Sequence, residues 1–189
     1  MIKLAIEPLS KFLSHIYNHS FETGTFPTKL KSAIVTPIHK TDSKLYLNNY
    51  RPISVLPIFS KVLERLMHSR LMNFLTNNKS LFEHQFGFQQ NKTTNMAILD
   101  IYSNIVEAIE NNETPCCIFL DFAKAFDTVN HKILLQKLMN YGIRGLPLKW
   151  FESYFQKRQQ TVKINNIYSD VLEIKCGVPQ GSVLGPYYF

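Results

Sequence analysis

The stretch Phe119-Leu120-Asp121-Phe122-Ala123-Lys124-Ala125-Phe126-Asp127 decides the fold. It continues Cys116-Cys117-Ile118, an apolar run after Pro115 with the pattern of a strand buried on both faces. Asp121 stands at the end of that run. A carboxylate in such a place costs several kcal/mol to desolvate unless something compensates. A divalent cation is one partner; capping of the next helix or pairing with Lys124 is another, and the stretch alone leaves both open. Asp127 is not expected to join it: six residues of strand would separate the two by about 20 Å, and on a helix they would face different sides. Its expected role is to cap the helix that begins near His131.

Outward from this segment, helices and strands alternate. Residues 133–141 have helical spacing closed by Gly142, and Pro147 starts a further helix with Phe151, Tyr154 and Phe155 on one side. Residues 161–164 and 171–174 flank Asn165-Asn166 like hairpin arms. Upstream, Leu9, Phe12, Leu13, Ile16 and Tyr17 form the stripe of an amphipathic helix, assigned to residues 1–22 and stopping near Thr23-Gly24. Residues 32–38 predict a short strand that Pro37 confines to an edge or an end, and a loop rich in Asn and Lys follows over residues 40–50. Leu63, Leu66, Met67, Leu71 and Phe74 predict a helix ending at Asn77-Asn78, and Thr94 stands as N-cap before Ala97, Ile98, Ile101, Tyr102, Ile105 and Ile109. The fold class is α/β or α+β.

A second segment, Gly177-Val178-Pro179-Gln180-Gly181-Ser182-Val183-Leu184-Gly185-Pro186, has glycine at every fourth position. Such spacing allows close backbone approach to a ligand, and Gln180 offers a donor and an acceptor on a short lever. A plain turn before a helix reads the same way.

In that order, FLDFAKAFDTV and GVPQGSVLGP resemble the palm motifs of reverse transcriptases from non-LTR retrotransposons of the jockey, CR1 or LINE kind. FPTKLKSAIVTPIHK, NNYRPISVLPIFSKVLERL and HQFGFQQNKTTNMAILD resemble the fingers motifs, so the likeness runs from about Phe21 to Pro186. It implies a right-hand polymerase fold, with the reverse transcriptase domain over residues 23–189: fingers over approximately 23–112 and a partial palm over approximately 113–189. The implied activity is RNA-directed DNA polymerisation with Mg²⁺, or Mn²⁺ in its place, on an RNA template, a DNA primer and deoxynucleoside triphosphates. Hard divalent ions prefer oxygen ligands, and a pair of them stabilises both the attacking and the leaving oxygen. Asp121 matches the catalytic, metal-holding carboxylate and the backbone carbonyl of Phe122 a further metal contact. Phe126 matches the residue that closes the sugar pocket, and Gln180 and Gly181 match residues of the nucleotide pocket. Lys40 and Arg51 fall where fingers cations meet the triphosphate.

The chain departs from the family pattern in three places. It ends at Tyr187-Tyr188-Phe189, where the family continues with LLF and then a third, Asp-Asp-bearing palm motif, and Gln89 replaces a basic residue. The expectation is a fragment without thumb or endonuclease, inactive alone. The alternative is a non-catalytic nucleic-acid-binding remnant of a mobile element. An RNA-directed RNA polymerase is disfavoured, because that family usually places Asp where Phe126 stands.

Length and composition agree. The 189 residues suit one large domain or two small ones, and 45% hydrophobic with 19% charged residues disfavours collagenous and disordered readings. The +7 net charge suits a polyanionic partner. Residues 24–70 hold eight Lys/Arg against Asp42 and Glu64, and residues 132–163 seven against Glu152. Lys61, Arg65, Lys92, Lys157 and Arg158 are the expected contacts to a nucleic-acid backbone. Cys116, Cys117 and Cys176 cannot all pair within one chain, which points to a reducing compartment. No apolar run approaches bilayer length and no secretory signal is evident, so the expected place is intracellular, nuclear or cytoplasmic, with no membrane partner.

Overall fold

The computed structural model describes residues 6–188, so residues 1–5 of the predicted N-terminal helix and Phe189 lie outside the described residues. Helix α1 (Ile6–Thr23) leads to strand β1 (Ser32–His39) and strand β2 (Tyr50–Val55), followed by helices α2 (Ile58–Asn77) and α3 (Thr94–Glu110). Helices α4 (His131–Asn140) and α5 (Leu146–Phe155) precede β3 (Gln159–Ile164), β4 (Ile167–Tyr168) and β5 (Leu172–Glu173). The strands form one mixed sheet in the order β2-β1-β3-β4, with β5 also on β3. β1 runs antiparallel to β2, pairing Ile34 with Val55 and His39 with Tyr50, and parallel to β3, pairing Ser32 with Gln159 and Val35 with Val162. The chain is thus mixed α and β.

Local chemistry explains the helix ends. The Thr93 side chain accepts from Met96 N–H at the start of α3, and Asn130 accepts from the N–H groups of Lys132 and Ile133 at the start of α4. Asn130 therefore holds the cap expected of Asp127. The cap of α3 is likewise Thr93 rather than Thr94.

The core is aromatic. Phe26 meets Trp150 edge-on at 5.3 Å and Tyr154 at 5.1 Å, while Trp150 stacks on Tyr154 at 5.6 Å. These three side chains are fully buried, and each contributes roughly 1.5–3 kcal/mol of hydrophobic stabilisation. Trp150 Nε1–H donates to Ser20 Oγ at 2.9 Å, so its polar edge is satisfied and α1 is tied to α5. Leu63, Met67 and Leu71 of α2 belong to the same core.

Two expectations about strands fail. The double-faced buried strand at residues 116–120 does not form: residues 113–122 have no regular structure, and Phe119 is 82% exposed. A strand needs a neighbour to take its backbone hydrogen bonds, and the described ladders join only β1 to β5 to one another. Apolar content does not supply that neighbour. The predicted hairpin is also shorter: Asn165-Asn166 returns β3 into β4, with Lys163 opposite Tyr168, and β5 pairs further along at Gln160 and Leu172. Strand β2, which begins where the expected loop over residues 40–50 ends and to which the sequence pattern assigns no element, holds Arg51 opposite Ile38.

Candidate nucleotide site

Three segments that are far apart in sequence meet at the free edge of β2. The first is β2 itself, whose Ser54 N–H points off the sheet and donates to Gln180 O at 2.7 Å. The second is the turn around Ala125–Asp127, entered through Lys124 in the left-handed region at φ 54°. The third is the loop over residues 176–186. Gly177 N–H donates to Val129 O at 2.8 Å and Val178 N–H to Phe126 O at 2.7 Å, which lays the loop along the turn. Gln180 Nε2–H donates to Asp127 Oδ1 at 3.0 Å.

Glycine is required at both contact points. Gly177 has φ 83°, and a Cβ there would lie 2.7 Å from Asp127 O; at Gly181, with φ 120°, it would lie 2.7 Å from Ser54 O. Both obstacles are backbone and cannot swing away. Gly177→Ala is therefore expected to destabilise the chain by about 2–3 kcal/mol. A urea midpoint equal to that of the wild type would refute the docked loop.

Beneath the loop, Glu64 of α2 is fully buried. Its Oε2 accepts from Val183 N–H at 2.7 Å and its Oε1 from Ser60 Oγ–H at 3.1 Å. Burial pushes the Glu64 carboxyl above its ordinary range, opposed by Val183 N–H, the Arg158 charge, Ser60 and Leu184 N–H. A raised value means that the folded chain holds this proton more tightly than the unfolded one. The contribution to stability is thus fully present below the ordinary glutamate pKa and is lost as pH rises through the raised value. Stability measured by urea at a series of pH values should show this loss in the wild type relative to Glu64→Gln, which cannot titrate. Parallel curves would contradict it.

The remaining expected site residues divide. Phe126 is half-buried against the core, with its ring facing Gly185. Lys40 N–H donates to Asn49 O at 2.8 Å, extending the β1–β2 register, so exposed Lys40 and exposed Arg51 lie at the same end of that pair. Asp121 and Phe122 are exposed, on the unpaired segment rather than at a buried strand end. Lys61 and Arg65 are one turn apart on α2, half-buried and exposed respectively, and Lys157 is exposed. Lys92 donates to Glu83 O and lies over the Phe86 ring at 4.6 Å. Arg158 is a correction: it is 1% exposed, donates from Nη1 to Tyr154 O at 3.2 Å and lies over the Tyr154 ring at 4.5 Å, so its charge faces the core and not a phosphate.

Ser54, Glu64 and His131, whose Nε2–H donates to Gly177 O at 2.7 Å, escaped the sequence reading, and Asp127 entered it only as a helix cap. For Glu64 a signal existed: Ser60 and Glu64 continue the line of Met67 and Leu71 on the apolar face of α2. Oxygen donors of the kind Mg²⁺ takes are present at Asp121 and the Phe122 carbonyl. Among the described residues, however, no three His, Cys, Asp or Glu side chains gather, so the expected ion does not find a full ligand set there.

The motif loop, the turn before α4 and β2 thus form one unit, and the family profile of reverse transcriptase (RNA-dependent DNA polymerase) matches residues 38–189, all three included. The chain belongs to the reverse transcriptase family. It is 36% identical over 186 residues to the RNA-directed DNA polymerase from mobile element jockey of Drosophila melanogaster, covering 98% of this chain and 20% of that protein. The probable RNA-directed DNA polymerase from transposon BS of the same fly is 35% identical over 185 residues, covering 94% of this chain and 20% of the relative. That from transposon X-element is 33% identical over 182 residues. The chain spans about a fifth of the length of these curated relatives. In this reverse transcriptase segment no described helix is long and apolar enough to cross a membrane.

Proposed function

We propose that this segment supplies the fingers and part of the palm of an RNA-directed DNA polymerase of a non-LTR retrotransposon. The observation that carries this reading is the docking of the Gln180 loop onto Asp127 and Ser54. It brings the two palm strings and the NYRPIS string to one edge, where Gln180, Gly181 and Phe126 would line the pocket for a deoxynucleoside triphosphate. Arg51 and Lys40 would meet its phosphates, since fixed positive charge belongs where negative charge develops. Asp121 would be the acidic residue of catalysis. Lys61, Arg65, Lys92 and Lys157 would follow the backbone of an RNA template paired with a DNA primer.

Fluorescence anisotropy of a labelled RNA–DNA primed hybrid against the purified chain tests the groove. Each phosphate neutralised lowers the slope of log K against log salt by about 0.7–0.9, so four cations predict a slope of about −3. A flat titration, or no binding in dilute salt, would remove the groove from this reading.

A further inference from the structure

Of the bonds that hold the motif loop, those up to Gln180 run to β2, to the turn before α4 and, through His131, to the start of α4. Beyond Gly181 the attachment changes element: Val183 N–H reaches Glu64 Oε2 at 2.7 Å, on α2. Ser182 keeps this part of the loop tight, with its N–H on Pro179 O at 3.0 Å and its Oγ accepting Gly185 N–H at 3.0 Å. Leu184 is fully buried beside it. An apolar residue at Glu64 would suit its surroundings on α2, since its neighbours along that face are Leu63 and Met67. A fully buried carboxylate is an expensive choice for mere packing. Burial raises this carboxyl, and the buried Arg158 guanidinium and Ser60 offset part of that penalty.

We propose that Glu64 is a positioning residue of the polymerase site: by gripping Val183 it holds the loop against β2 and fixes where Gln180 and Gly181 meet the incoming nucleotide. This rests on the reading of that loop as the nucleotide wall. Glu64 touches no substrate itself. It acts through the backbone of the loop, as an acceptor of the loop's N–H groups at Val183 and Leu184, and glutamine at this position can still accept while methionine keeps the volume and cannot.

Amide hydrogen exchange on the purified chain tests this without polymerase activity. In Glu64→Met, amides of residues 181–184 should exchange about tenfold faster or more, with α2 and α5 unchanged, because the grip on Val183 is gone. Glu64→Gln should restore wild-type protection. Wild-type exchange in Glu64→Met, equal loosening in the Gln and Met variants, or loosening spread over α2 and α5 would each overturn the proposal. In a chimaera where this chain replaces the matching segment of the jockey relative, Glu64→Met should raise KM for the deoxynucleotide by roughly tenfold with kcat nearly unchanged. A wild-type chimaera that extends no primer would overturn the polymerase reading and leave the exchange result standing.

Discussion

Asp121→Asn, introduced into the same chimaera, is expected to reduce primer extension by on the order of a thousandfold or more, the scale of losing a charge-stabilising group at a reacting centre. Asp121 lies on a segment without regular structure and is exposed, so its carboxylate supports no packing. Asparagine keeps its shape, and surface substitutions of this kind stay within about 0.5 kcal/mol in stability. Hybrid binding should therefore hold within about twofold while extension disappears. Single-turnover extension and anisotropy on the same preparation separate the two effects. Extension within tenfold of the wild type would remove Asp121 from the chemistry.

Phe126→Val should change which sugar is accepted. The Phe126 ring is half-buried, packed on the edge of the core, and its backbone carbonyl holds Val178 N–H at 2.7 Å. The backbone bond survives any substitution, so the loop stays docked while the ring shrinks. If the ring fills the space of a ribose 2′-hydroxyl, the chimaera should incorporate ribonucleotides better, relative to deoxyribonucleotides, by on the order of 10–100-fold. Loss of part of a half-buried ring should lower stability by about 2 kcal/mol. The comparison is of kcat/KM for the two sugars at one template base. A folded variant with the wild-type ratio would show that Phe126 serves packing alone.

Helices were legible in the sequence because their signal is local: the spacing of Leu63, Met67 and Leu71 lies within a few residues of the structure it causes, although the caps expected at Thr94 and Asp127 fall at Thr93 and Asn130. Strands were less so. Residues 116–120 have the composition of a buried strand and none of its partners, whereas β2 contains Pro52 and Arg51, shows no strand pattern of its own, and is a strand because β1 lies beside it. The site shows the same division. Recognisable strings marked Gln180 and Phe126, yet the bond from Gln180 to Asp127 joins residues 53 apart and depends on the fold. Arg158 looked like a surface cation beside Lys157; burial against Tyr154 is a tertiary fact that charge counting misses.

The parallel pairing of β1 with β3 has a consequence for synthesis on the ribosome. Ser32 waits for Gln159, and at roughly 5–20 residues per second the β1–β2 hairpin, complete at Val55, leaves the exit tunnel about 5–20 s before its central neighbour follows. During that interval the β1 edge that will receive β3, with Ala33 and Val35 still uncovered, is open to any other nascent strand. Pro37 shortens the run of N–H groups that such an intruder could use. Yield from translation should therefore fall when chaperone supply is short or when elongation between these two strands slows.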